Sequence, residues 1–508
     1  MSTSQAGGGR VLATFGLVLA TLTNTLDMTI ANVALPHIQG SVSASADQIN
    51  WVLTSYIVAT AIMTPLSGWL SLRIGRKRLF LISTALFMLA SMLCGMAANL
   101  PQIILFRILQ GLAGASMMPM SQAAMLDLWP ARYIQQVMAV WSGVVTAAPV
   151  IGPTLGGFLT DTLSWRWAFY INVPLDIIAF AIVYVALPPD GETGKRHFDV
   201  TGFTGLIMFT VGLQLMIDRG TMKDWFDAAE IWIEATIAAC GLYVFVLQTL
   251  MYKQPYFPRA IFRDRNFVTC NTFSFLIASA LFTTSALTPV MMQQLLGYSA
   301  MESGLATMPR GYGSVLAFII VPWVSTTFGP RRTIALGIAI NAVSLWQMGH
   351  FDLSMTSEPI KVSGFLQGFG SALMFNPLSV ISYSTLPQAL RNEAAVLSNM
   401  LRNVAGSLGI AAYAAIQLRQ TAVLRSHLVA HLNAGNPIFD WRMPDILSGP
   451  ASDLAMLNAE VNRQAAMIAY NTIFGYICLS SILMLPLLIW MRPVKVSSGN
   501  LPREVELH

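Results

Sequence analysis

Most acids and bases of this 508-residue chain lie between apolar runs, but a few lie inside them, where they could do chemistry. Asp27 stands in TLDMTIANVALP and Arg107 in ILFRILQG, with Gln110 one turn on. A carboxylate in hydrocarbon costs several kcal/mol, so an intramembrane acid points to function. Burial raises a carboxyl's proton affinity and a nearby guanidinium lowers it. An Asp–Arg pair whose separation changes could therefore take up and release a proton. Asp27 lies about 24 Å along its helix from Val11, in the outer half of the bilayer, and Arg107 about 8 Å into a run that starts from the outer face near Gln102, so the two can meet. Asn24 shares the Asp27 stripe. A static pair that merely locks two helices is the competing reading.

The elements that must position these residues are membrane helices. Hydrophobic side chains make up 55% of the chain and charged ones only 10%, against roughly 25% charged in soluble domains. Apolar runs fall near 11–35, 49–71, 79–98, 102–124, 136–160 and 167–187, then near 200–217 and 231–252. Six more follow near 267–292, 303–327, 333–351, 360–385, 395–418 and 467–490. Each is long enough to cross a bilayer as a helix. The division expected is a 1–10 amino terminus, a six-helix bundle over 11–190, a two-helix insertion over 191–266, a second six-helix bundle over 267–490 with a long extracytoplasmic loop at 419–466, and a 491–508 tail. With the first residues inside, basic residues of the inner segments outnumber those of the outer ones, which places both termini in the cytoplasm. Asp127 and Glu234, near span ends, are expected to be solvated.

The net charge of +5 does not mark a nucleic-acid partner, because the basic residues sit in short clusters between spans. The four cysteines are isolated and no third ligand accompanies His427 and His431, so no metal or other cofactor is expected. There is no GxxxxGK[ST], HExxH or GxSxG run, which argues against ATP hydrolysis and intramembrane hydrolysis.

The chain also repeats itself. GWLSLRIGRKR (68–78) recurs as PWVSTTFGPRR (322–332), and LQGLAGASMMP (109–119) as LQGFGSALMFNP (366–377), at equivalent spans. Two six-helix repeats around a midplane cavity suit alternating access. The second repeat has Gly364 where the first has Arg107. Residues expected to wall a cavity are Met28, Trp51, Tyr56, Met118, Trp141, Gln293, Met374, Asn376 and Tyr383, adaptable or aromatic side chains with polar tips.

These motifs resemble the major facilitator superfamily, and within it the fourteen-spanner drug:proton antiporters of EmrB/QacA type, over nearly the whole chain. LDMTIANVALP (26–36) is similar to the first-span signature, and Gly68, Gly75, Arg76, Lys77 and Arg78 to the loop motif. Arg107, Gln110 and Gly111 resemble RxxQG, whose arginine is associated with proton coupling. Gly143, Gly152, Pro153, Gly156 and Gly157 resemble the antiporter motif, where a gating hinge is implied. SWRWAFYINVP (164–174) and DRGTMKDWF (218–226) are similar to the same family. The resemblance implies an all-α fold of fourteen transmembrane helices, protons as the coupling ion, and export of lipophilic small molecules from a Gram-negative inner membrane. It also implies a periplasmic adaptor (membrane fusion protein) and an outer-membrane channel as partners. Two departures stand out: Leu72 replaces the motif's aspartate, and Asp176 occupies a sixth-span position expected to be small or apolar. Export of one physiological compound (a siderophore, fatty acid or metabolite) and a non-transporting sensor or scaffold are the alternatives.

Overall fold

The computed structural model describes residues 3–49, 51–189, 198–220, 223–387, 390–432 and 451–491, and within them regular structure is helical. The long helices are α1 (Thr3–Ser41), α2 (Trp51–Ile74), α3 (Arg76–Met96), α4 (Leu100–Leu128), α5 (Ala131–Thr162), α6 (Trp167–Ala186), α7 (Val200–Gly220) and α8 (Ala229–Met251). They continue as α9 (Arg265–Leu295), α10 (Ala300–Phe328), α11 (Pro330–Met348), α12 (Glu358–Ser384), α13 (Arg391–Ala430) and α14 (Ala451–Leu483). Among the described residues, ten helical segments are long and apolar enough to cross a membrane. Polarity is inverted relative to a soluble protein. On α3, Ile82, Leu86, Leu89 and Leu93 face outward while Ser83, Thr84 and Ser91 are buried. With lipid outside, helix association rests on close packing and interhelical hydrogen bonds rather than on hydrophobic burial.

Two helices are broken, and each break follows from a proline. Pro119 lacks the N–H that would bond Ala115 O, and α4 is interrupted at Ala115–Ser116. Pro174 leaves Tyr170 O in the same way, and α6 is interrupted at Ile171. Both interruptions border the polar centre described below.

α1 packs on α5 and α6, and α2 on α4, in one bundle; α10 packs on α12 and α11, and α9 on α13, in the other. The bundles meet along α5 with α10 and α2 with α13. α7 and α8 form a tight pair, because Gly205 and Gly212 on one helix and Gly241 on the other bring backbones together. α7 touches both bundles, with Gln214 Nε2 donating to Ser407 Oγ at 3.0 Å. The expected loop at 419–466 begins and ends as helix: α13 runs to Ala430, α14 starts at Ala451, and Arg425 donates to Asn458 at 3.1 Å. Its middle, residues 433–450, lies outside the described residues, as do 190–197 of the two-helix insertion and 492–508 of the tail.

The repeat seen in the sequence is present in the backbone. Gly75 and Gly329, which precede α3 and α11, hold φ of 94° and 84°, a region that favours glycine. At Gly111 a Cβ would lie 2.5 Å from Tyr56 O, and at Gly368 1.9 Å from Arg310 O. Both sites need a hydrogen where other residues carry a side chain.

A candidate proton-coupling centre

Asp27 on α1 and Arg107 on α4 are 0% and 1% exposed and touch: Arg107 Nη1 donates to Asp27 Oδ2 at 2.6 Å. The other carboxylate oxygen, Oδ1, accepts from Gln110 Nε2 and Asn172 Nδ2, each at 2.8 Å. Arg107 is held on two further sides, by Gln110 Oε1 at 2.7 Å and by Val52 O at 3.1 Å. Its guanidinium lies 4.2 Å from the centroid of the Tyr56 ring. Gln110 Nε2 also donates to Ser91 Oγ at 2.8 Å. Three helices, α1, α4 and α6, thus meet at one carboxylate, and α2 and α3 hold the residues that hold it. A buried ion pair persists when its other donors and acceptors are met, and here both Asp27 oxygens and the Arg107 Nε and Nη1 are met by side chains and one backbone carbonyl.

Asn24 stands one step away. Its Nδ2 donates to Tyr56 OH at 3.1 Å and to Gly114 O at 3.4 Å, beside the α4 break. Asn172 and Ser91 escape a reading of spacing because one polar residue in an apolar run is common. Asn172 sits just after the Pro174-induced break, and that local signal marks it. Asp176, one turn further along α6, is fully buried; Thr23 Oγ1 donates to its Oδ1 at 2.7 Å, and its Oδ2 has no partner.

In the antiporter motif, Gly152 and Gly156 let α5 press on α1, where a Cβ would meet Thr29 Oγ1 at 1.9 Å and Ile30 at 3.1 Å. Gly143 faces Phe318 of α10, and Gly157 faces open space. The side chain of Pro153 lies outside the described residues. In the loop motif, Gly68 faces Val396 of α13, Arg76 pairs with Asp127, and Lys77 Nζ donates to Leu187 O at 2.5 Å. Arg78 is exposed.

Asp127 and Glu234 correct the expectation of solvated acids. Asp127 pairs with Arg76 and, across the bundle seam, lies 3.8 Å from Arg391 Nη1. Glu234 is 6% exposed and accepts from Arg219 at 2.5 Å across the close α7–α8 pairing. The seam at that end of the bundles also carries Gln122, whose Oε1 accepts from Asn399 at 3.1 Å and Tyr383 at 3.4 Å.

The residues expected to wall a cavity separate. Tyr56 belongs to the Asp27–Arg107 centre, and Tyr383 to the seam. Trp141 is buried, donating to Ser121 at 2.9 Å. Met374 packs in a core against α11, Met28 and Met118 are half-buried, and Asn376 is buried. Trp51 and Gln293 are exposed, at the outer turns of their helices. Helical packing rather than residue type decides these cases. A cavity does lie between the bundles, and the residues around it include Ser142, Ser285, Phe375 and Arg402.

The sequence pattern of the Major Facilitator Superfamily matches residues 17–410. Multidrug export protein EmrB of Haemophilus influenzae is 34% identical over 95% of this chain and 96% of its own length. Fatty acid resistance protein FarB of Neisseria gonorrhoeae is 31% identical over 97% of this chain and 98% of its own. Among solved structures, the human organic anion transporter MFSD10 aligns over 95% of this chain and 100% of its own, with a TM-score of 0.58 at 14% identity, a likeness of fold alone.

Proposed function

Since this chain belongs to the major facilitator superfamily, we propose that it is a proton-coupled efflux transporter of lipophilic small molecules. In this reading it spans a Gram-negative inner membrane with fourteen helices and both termini in the cytoplasm, and works with a periplasmic adaptor and an outer-membrane channel. The relatives named for multidrug export support the export of varied compounds. One observation carries the coupling: a fully buried carboxylate whose every contact, from Arg107, Gln110 and Asn172, is a donor.

That arrangement suits the ionised acid and resists the neutral one. A proton on Asp27 turns an acceptor into a donor, so one of the three groups facing it must turn away. It also leaves Arg107 without a counter-charge, drawn to Val52 O on α2 and to Gln110 Oε1. These groups sit on different helices, so a change of charge becomes a load on helix packing, and the state that admits a proton differs in shape from the one that lacks it. The Gln122–Tyr383–Asn399 and Asp127–Arg391 contacts between the bundles form the gate that parts when the cavity faces the cytoplasm.

The test is substrate movement in everted vesicles under an imposed pH gradient. Asp27→Asn should abolish gradient-driven movement while substrate binding to the purified protein persists; undiminished gradient-driven movement in that variant defeats the proposal. A second reading, export of a single physiological amphiphile, is favoured by the relative named for fatty acid resistance. Competition among unrelated lipophiles separates the two, because a dedicated exporter is inhibited by its own class alone.

A further inference from the structure

The second bundle buries two guanidinium groups of a different kind from Arg107. Arg310 on α10 is 3% exposed and donates from Nη1 to Ser285 Oγ at 2.7 Å. Arg402 on α13 is 8% exposed and lies 5.7 and 5.8 Å from the centroids of the Trp141 and Phe375 rings. The Nε of each lacks an acceptor, and among the described residues neither has an Asp or Glu within ion-pair distance. An unbalanced cation in a membrane interior is among the costliest arrangements a protein can hold, and such residues mark the path or site of a ligand of opposite charge.

Both arginines converge on the cavity between the bundles. Arg402 lines it directly, and so does Ser285, the hydroxyl that Arg310 holds. Ser142 and Val145 of α5 and Phe282 and Phe375 of the second bundle complete much of the wall. The site therefore offers apolar and aromatic surface, the hydroxyls of Ser142, Ser285 and Ser379, and positive charge with no acid among its lining residues. A cationic lipophile would meet repulsion there.

We infer that this cavity binds lipophilic anions, with Arg402 against the ionised head group, Ser285 oriented by Arg310 beside it, and the rings against the apolar body. As a binding site this stands independently; as the exporter's substrate site it rests on the transport reading above.

Dodecanoate and dodecyltrimethylammonium share a tail and differ in head charge, which makes them the probes. Their binding to the full chain in phosphatidylcholine nanodiscs is read by tryptophan fluorescence. Dodecanoate should bind at least about tenfold more tightly, the worth of one charge-assisted hydrogen bond, and Arg402→Gln or Arg310→Gln should remove most of that preference. A residue kept only for packing would lower the ligand-free melting temperature when replaced. Arg402→Met should instead raise it, because an unbalanced charge is removed, and should abolish the further stabilisation by dodecanoate. Equal affinity for the two probes, unchanged dodecanoate affinity in both glutamine variants, or a lower melting temperature for Arg402→Met overturns the inference. Loss of dodecanoate binding when phosphatidylglycerol is added also overturns it, and assigns the site to a lipid head group. Charge-selective binding with no gradient-driven movement of dodecanoate in vesicles leaves the site standing and removes the transport reading.

Discussion

Replacing Asp27 with asparagine should destabilise the protein far more than a change of one atom suggests, and removing Arg107 as well should restore part of the loss. Asp27 presents one oxygen to Arg107 and the other to Gln110 and Asn172. An amide must place its N–H against one of these donors whichever way it is turned. At least one hydrogen bond is then lost, and a guanidinium that is 1% exposed is left without a counter-charge. Breaking a buried pair from one side costs about 3–5 kcal/mol. The Asp27→Asn, Arg107→Gln double variant holds no buried charge, and its deficit is the lost hydrogen bonds, about 1–2 kcal/mol. The double variant should therefore be more stable than either single one, with a coupling energy of about 2 kcal/mol or more. Equilibrium unfolding of the purified protein in mixed micelles by titration with dodecyl sulfate, followed by tryptophan fluorescence, measures all four corners of the cycle. A double variant whose loss equals the sum of the singles, or an Asp27→Asn loss under about 1 kcal/mol, would refute the claim that the two charges depend on each other.

The same titration tests two more residues. Asp176→Asn should cost under about 1 kcal/mol, because a carboxyl with one hydroxyl donor and no cation loses little on becoming an amide; a loss as large as that of Asp27→Asn would mean that Asp176 is ionised and paired. Gly111→Ala should cost about 1–3 kcal/mol, since its Cβ meets a backbone oxygen that cannot turn aside, whereas Gly157→Ala faces open space and should be neutral or stabilising. Finally, Asp127→Asn should loosen the seam about two- to fivefold, the worth of a partly exposed ion pair. The readout is maleimide labelling of Val396→Cys with the four native cysteines replaced, and an unchanged rate would show that Asp127 does not hold the bundles together.

Much of this was legible in the sequence because a membrane interior makes polar residues conspicuous. Asp27, Arg107 and Gln110 stand out from their runs, and a rise of about 1.5 Å per residue suffices to bring them to one depth. The helical fold and its repeat were legible for the same reason, and the glycines matched at 75 and 329 share a positive φ that the sequence match did not state. Asn172 and Ser91 were not, since an isolated serine or asparagine gives no sign of which way its helix turns. The cavity residues failed for a related reason: Met374 and Tyr56 have the type of a wall residue, but rotation about the helix axis puts one in a core and the other under Arg107. Asp127 and Glu234 were misjudged because position near a span end says nothing of the arginine delivered by a neighbouring helix.

The two halves show how one scaffold carries different charges. Gln110 donates to Asp27 in the first half, and Gln367 donates to Thr284 at 2.9 Å at the matching place in the second. Where the first half has Arg107 over Tyr56, the second has Gly364 beside Arg310, so the guanidinium has moved to the opposite helix of the same contact. This exchange is possible because the approach of the helices depends on Gly111 and Gly368, each set against a carbonyl, and not on the charges themselves. Chemistry at the contact is then free to differ between halves. In the first, the guanidinium is satisfied by an acid of its own bundle. In the second no acid among the described residues satisfies it, and in the reading proposed above its counter-charge is the anion that enters the cavity.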